Sequence, residues 1–394
     1  MLNFSYYLPT KVIFGKDTQH QVGEEIKKRG GSRVLVHYAA NSQWVEPLLE
    51  EVYESLDAAG LSYVALGGVV PNPRLSLIKE GIALGKRENI DFILAIGGGS
   101  VIDSAKGIGY GLADADNGDV WDFYTRKRVP KDCFPVGVIL TLAGTGSETS
   151  DGSVVTNEEG WLKRDVGSDY ARPRFAIMNP ELTYSLPPYQ TASSSVDIIM
   201  HAMERYFTQV DHVELSDRLC ESVMKTVMHH LPILLDDPKN YDSRAEIMWA
   251  ATVCHNGLLT AGRKGDWASH NIEHELGGMF DVAHGAGLCA VWGSWARYVY
   301  RENVMRFAQF AVNVMGCTMD FQHPEVSALE GIEAMEIFFR LVNMPTSIHE
   351  MGINLTDDVI ETLARKCTNN GTRTIGAFKV LGTDDIGAIY HMAK

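Results

Sequence analysis

In the first half of the chain, short apolar runs alternate with amphipathic stretches, a pattern that predicts strands alternating with helices. Residues 4–14 alternate apolar and polar positions around Pro9 and stop at Gly15, which reads as a hairpin-like or edge strand. An amphipathic helix is expected over 17–28, and RVLVHY at 33–38 has the β-branched character of a buried parallel strand. A helix over 45–59, a strand over 61–66, a PNP turn at 71–73 and a helix over 75–88 follow. Residues 92–96 form an apolar strand that runs into Gly97-Gly98-Gly99-Ser100 and a helix carrying Asp103 and Lys106. The strand at 136–140 opens into the glycine-rich TLAGTGSET of 141–149, Lys163 and Arg164 fall in a polar stretch, and 175–178 is a last strand.

From Pro187-Pro188 the periodicity becomes helical, with Met, Leu and Ala on one face and interruptions at Pro238, 262–265, 277–287, Pro324 and Pro345. No internal repeat or low-complexity segment is visible. The expected architecture is an α/β N-terminal nucleotide-binding domain with a parallel sheet over residues 1–185, followed by an all-α C-terminal domain over 186–394.

Length and charge narrow the partners. A chain of 394 residues exceeds one ordinary core, in line with two domains. The net charge of −15 disfavours nucleic acid and anionic membrane surfaces, leaving small molecules as the expected partners. Six scattered cysteines without a C-x-x-C pair suit a reducing compartment. The opening MLNFSYYLPT has no basic region leading into an apolar one, and no apolar run reaches membrane-spanning length, so a cytoplasmic protein is expected.

Two stretches carry candidate chemistry. Glycines at 97–99 let the backbone approach an anion closely, and the start of the following helix favours negative charge, as a pyrophosphate requires. A GGGS turn alone also suits an ordinary tight turn, and no G-x-G-x-x-G follows Tyr38, so this is not a standard Rossmann domain. The second stretch, WASHNIEHELGGMFDVAHG at 267–285, holds His270, His274 and His284. On a helix His270 and His274 share a face, and Gly277 and Gly278 are expected to end that helix before His284. Asp197 and His201 stand four apart in another helical segment and present a carboxylate and an imidazole to one point. Either pair alone is commonly an ordinary helix contact. Together, Asp197, His201, His270 and His284 offer one oxygen and three nitrogens, a set suited to Fe2+ or Zn2+, with His274 left as a candidate proton carrier. A nucleotide cleft with a divalent metal points to hydride chemistry on an alcohol or aldehyde.

At these residues the sequence resembles the iron-containing (group III) alcohol dehydrogenases, in particular their butanol dehydrogenase and NADPH-dependent aldehyde reductase branch. The shared motifs span the chain: PT-x-x-x-FGK from Pro9, PNP at 71–73, AIGGGSVIDSAK at 95–106, LAGTGSE at 142–148, Asp197-x-x-x-His201 and the histidine stretch. The resemblance implies a dehydroquinate synthase-like fold, with Asp197, His201, His270 and His284 holding one divalent metal, Fe2+ or Zn2+. It implies that Gly98, Gly99 and Ser100 bind pyrophosphate, that Asp103 lies beside the nicotinamide with a candidate catalytic role, and that Thr141, Thr145 and Lys163 line the cofactor. His274 matches a non-ligand histidine near the metal.

Many NAD-dependent relatives carry an Asp after the first nucleotide strand, where it would repel a 2′-phosphate. Here Ala39 occupies that position, followed by Ala40, Asn41 and Ser42, and Ser42 could donate to the phosphate although no Arg or Lys clamps it. NADP(H) is therefore the expected cofactor in preference to NAD(H). Leu142 stands where many relatives have a second threonine. The expected activity is reduction of short to medium-chain aldehydes, or oxidation of the alcohols, by a cytoplasmic homodimer paired through the 4–14 edge. The alternatives are a polyol dehydrogenase of the glycerol type, dehydroquinate synthase-type chemistry, and a non-catalytic relative that keeps the fold.

Overall fold

The computed structural model describes residues 1–40 and 45–394. It divides into two compact units, Tyr7–Leu186 and Pro187–Lys394, with Met1–Tyr6 grouped with the second.

Strands of the first unit are β1 (Lys11–Phe14), β2 (Arg33–Ala39), β3 (Ser62–Val69), β4 (Phe92–Gly97), β5 (Val136–Leu140), β6 (Gly152–Asn157), β7 (Leu162–Gly167) and β8 (Phe175–Met178). Between them run helices α1 (Val22–Lys27), α2 (Glu46–Ala58), α3 (Leu75–Glu88), α4 (Gly99–Ala113) and the single turn α5 (Trp121–Tyr124). Among the described residues, six strands form a wholly parallel sheet in the order β1-β8-β5-β4-β2-β3. A parallel sheet needs both faces covered, and β4, β5 and β8 are buried at every position. Fully buried Ile93, Leu94 and Ile96 each contribute about 1.5–3 kcal/mol relative to exposure. Helix α3 stops where Asn89 takes a left-handed conformation at φ 50°, which lets the chain reverse into β4.

Two expectations change here. Only Lys11–Phe14 of the 4–14 stretch is a strand; it is an edge strand parallel to β8 and not part of a hairpin. The residues before it leave the sheet, and the Leu2 N–H donates to the Gly262 carbonyl at 2.8 Å in the helical unit. The polar stretch around Lys163 is regular: β6 and β7 form an antiparallel pair with Thr156 opposite Lys163. The alternation of a half-buried hairpin is easily lost beside two adjacent charges.

Helices of the second unit are α6 (Pro188–Tyr206), α7 (Glu214–Asp236), α8 (Tyr241–His255), α9 (Ala268–Phe280), α10 (His284–Val299), α11 (Val304–Asn313), α12 (Pro324–Leu341), α13 (Asp357–Cys367) and α14 (Thr383–Ala393). Helix α6 begins with Pro188, whose fixed φ suits a first turn, and it is buried almost throughout from Thr191 to Tyr206. Gly277 and Gly278 do not end α9. Both lie inside it, and Asp281, left-handed at φ 54°, closes it three residues before α10 starts. No helix among the described residues is long and apolar enough to cross a membrane.

Candidate functional site

In the helical unit three helices bring their polar residues to one point. Asp197, His201 and Glu204 follow the i, i+4, i+7 spacing of a single face of α6. His270 comes from the first turn of α9, and His284 is the first residue of α10. The start of α10 sits close to α6 because residue 285 is glycine: a Cβ there would lie 1.9 Å from the Ser193 carbonyl oxygen.

Asp197 Oδ1 is the common neighbour. It lies 3.6 Å from His201 Nδ1 and 3.7 Å from the Nε2 atoms of both His270 and His284. Those separations exceed hydrogen-bond length. Among the described residues, Asp197 Oδ1, His201 Nδ1 and His270 Nε2 are buried without a hydrogen-bond partner. Four such atoms around a tetrahedral cation with bonds near 2.1 Å would stand about 3.4 Å apart. The donor set and its spacing therefore fit a divalent metal.

The outer ends of two of these imidazoles are held by carboxylates. His270 Nδ1 is 2.7 Å from Glu204 Oε1, and His284 Nδ1 meets Glu273 Oε2. Burial lowers the basicity of His270, but the carboxylates of Asp197 and Glu204 reverse this and raise its pKa to about 9. The two carboxylates thus favour positive charge on the His270 ring. For His201, burial and the neighbouring imidazoles push the pKa well below its usual value. His274 lies one turn beyond His270, half-buried, with its ring centroid 5.7 Å from that of His284. Its ligand atoms lie close to those of Glu273 and His284, while Asp197, His201 and His270 form a second close set. Sequence reasoning missed Glu204 and Glu273; the i+7 position of Glu204 after Asp197 was the available signal.

In the α/β unit the glycine turn expected to receive an anion follows β4, whose neighbour in the sheet is β2, with Tyr38 paired to Ile96. The order of connections reverses between these two strands, as at the ligand crevice of doubly wound sheets. Ala39 ends β2 here, whereas Ser42 lies outside the described residues. Gly98 is the N-cap of α4, with Gly99 and Ser100 in its first turn, where backbone N–H groups lack helical acceptors and favour an anion. The 141–150 loop packs against this turn: a Cβ on Gly99 would lie 2.5 Å from the Thr145 side chain, and the Thr141 N–H donates to the Gly97 carbonyl at 3.1 Å. Thr141 and Thr145 are half-buried, while Lys163 on β7 is buried.

Asp103 and Lys106 face this loop from α4. Asp103 accepts from Ser147 Oγ at 2.6 Å and from the Val154 N–H at 2.9 Å, so both carboxylate oxygens are engaged. Lys106 Nζ donates to the Ser147, Ser150 and Gly152 carbonyls at 2.8, 2.9 and 2.7 Å. Burial lowers the Lys106 pKa to about 8, with nearby Asp103 acting in the opposite sense, and burial raises that of Asp103. Sequence reasoning assigned Lys106 no role.

A family model described as iron-containing alcohol dehydrogenase matches residues 9–180, and one described as Fe-containing alcohol dehydrogenase family, C-terminal, matches 191–394. The chain belongs to the iron-containing alcohol dehydrogenase family. It is 41% identical over 389 residues to a probable NADH-dependent butanol dehydrogenase of Bacillus subtilis, covering 99% of each chain. It is 32% identical to an NADPH-dependent aldehyde reductase of Escherichia coli, covering 100% of both. The crystal structure of NADH-dependent butanol dehydrogenase A from Thermotoga maritima superposes with a TM-score of 0.95 at 34% identity, covering 100% of this chain and 99% of that one. An α/β unit with a parallel sheet followed by a helical unit is the fold of this family.

Proposed function

We propose that the protein is a metal-dependent, NADPH-preferring alcohol dehydrogenase that reduces short to medium-chain aldehydes such as butanal. The observation that carries this is the convergence of three imidazoles on Asp197 Oδ1 at 3.6–3.7 Å, with three of the facing atoms buried and lacking hydrogen bonds. The names of the butanol dehydrogenase and aldehyde reductase relatives support the substrate class.

In this reading Asp197, His201, His270 and His284 hold one divalent cation, Fe2+ or Zn2+. When bound, such a cation supplies Lewis acidity that polarises a carbonyl or acidifies an alcohol. The nicotinamide, when bound, exchanges the hydride. The chain's own residues orient and shuttle: Gly98, Gly99 and Ser100 receive the pyrophosphate, while Thr141, Thr145 and Lys163 line the cofactor. Asp103 acts as a positioning residue through Ser147 and Val154, since both its oxygens are already engaged. His274, half-buried beside His284, carries the proton for the substrate oxygen. The six free cysteines support a reducing, cytoplasmic setting, and the position of β1 at the sheet edge supports a homodimer.

The NADPH preference rests on Ala39, which puts no carboxylate where a 2′-phosphate would sit. The second reading is NADH, favoured by the absence of Arg or Lys at 39–42 and by the name of the Bacillus relative. One set of steady-state assays tests both substrate and cofactor: butanal and butanol against glycerol, with NADP(H) and NAD(H), on the natural protein and Ala39→Asp. The expected result is a higher kcat/KM on the butanal and butanol pair, with NADPH preferred. Ala39→Asp should shift the preference towards NADH by about fivefold or more, since placing a carboxylate against a phosphate costs about 1 kcal/mol or more even in screened surroundings. A better constant on glycerol contradicts the substrate assignment, and an unshifted cofactor ratio contradicts the role of Ala39.

A further inference from the structure

We propose that Glu204 and Glu273 are positioning residues for the metal, each fixing the orientation and tautomer of one ligand histidine on the next helix. This rests on the ligand assignment proposed above.

The two carboxylates repeat one geometry. Glu204, on α6, takes the Nδ1 side of His270 on α9 at 2.7 Å. Glu273, on α9, takes the Nδ1 side of His284 on α10. A carboxylate accepts, so Nδ1 carries the proton and donates, and the Nε2 lone pair is turned inward. Both Nε2 atoms then stand 3.7 Å from the same oxygen, Asp197 Oδ1.

Neither glutamate is solvated: Glu204 is 3% exposed and Glu273 0%. Burying two carboxylates is costly unless each is tightly engaged. Glu204 also accepts from the Trp267 N–H at 2.6 Å and the His270 N–H at 3.0 Å, so one side chain caps α9 and aims its histidine. Glu273 fits only because residue 287 is glycine; a Cβ there would lie 2.8 Å from Glu273 Cγ. The contacts run from α6 to α9 through Glu204 and from α9 to α10 through Glu273. Gly285 against Ser193 brings α10 back to α6. Loss of either carboxylate therefore releases one imidazole from its aim without removing a ligand.

The test measures Zn2+ dissociation from the zinc-loaded full-length protein into excess chelator, with the melting temperature recorded alongside. The variants are Glu204→Gln, Glu273→Gln, His270→Ala and Glu336→Gln. Glu336 is a comparison because it pairs with Arg297 and touches no ligand. Loss of an outer partner typically weakens metal binding about 10–100-fold. Glu204→Gln and Glu273→Gln should therefore release Zn2+ about 10–100-fold faster, with Glu336→Gln unchanged. Glu273→Gln keeps the test decisive if loss of the Glu204 cap unfolds α9. Zinc retention as in the natural protein by both glutamate variants, with rapid loss from His270→Ala, overturns this inference and leaves the ligand assignment intact. Full retention by His270→Ala overturns both.

Discussion

Replacing His270 with alanine should leave the protein folded but nearly free of metal, with kcat/KM for butanal reduced by about 10³ or more. The fold should survive because His270 is one buried side chain at the start of α9, whose capping by Glu204 also uses the Trp267 N–H. Affinity should not survive, because the remaining donors are Asp197, His201 and the partly exposed His284. Removing a ligand costs more than the roughly 10–100-fold typical of losing an outer partner. The rate follows the metal, since Lewis-acid stabilisation supplies several kcal/mol and each 1.4 kcal/mol is about tenfold. Metal analysis beside steady-state kinetics checks both halves. A variant with full metal content shows that His270 is not a ligand.

The second large effect is expected in the α/β unit. Lys106→Met keeps most of the apolar stem but removes the ammonium that gathers the Ser147, Ser150 and Gly152 carbonyls. Those acceptors lose a donor, and Asp103 loses its compensating charge in a buried setting. Removing one partner of a buried charged network costs about 3–5 kcal/mol. At about 2–4 °C per kcal/mol for a unit of this size, its melting temperature should fall by roughly 10 °C. The loop that packs on the Gly98–Ser100 turn is the part released, so KM for NADPH should rise more than kcat falls. An unchanged melting temperature with unchanged KM contradicts the structural role given to Lys106.

These two residues illustrate what the sequence discloses. The helices that carry the cluster were legible because Asp197 and His201 obey the period of a helix face, and the histidines at 270 and 284 are rare residues in a short span. The inner strands were legible because parallel strands buried on both faces read as continuous apolar runs. Lys106 and Glu273 were not legible, because charged residues in helices ordinarily face water and only packing reveals that these are buried, whereas Glu204 could have been found from its i+7 spacing after Asp197. Gly277 and Gly278 misled for a similar reason. Glycines favour helix ends, yet here both are buried within α9, and the left-handed residue that closes the helix is Asp281. The β6–β7 hairpin escaped notice although Asn157 and Gly160 mark its turn, because Lys163 and Arg164 obscured the alternation of its second strand. The 4–14 stretch shows how an alternating pattern marks extended chain without saying which neighbour it pairs with.

The central claim, that the cluster on Asp197 Oδ1 holds a metal required for catalysis, is tested most directly by removing and restoring that metal. Butanal-dependent NADPH oxidation is measured on the purified protein, after exhaustive chelation, and after addition of Fe2+ or Zn2+, with metal content determined at each stage. The expected result is a rate that falls to background as metal is removed and returns with about one equivalent per chain. A metal-stripped protein that still turns over butanal at the full rate contradicts the account.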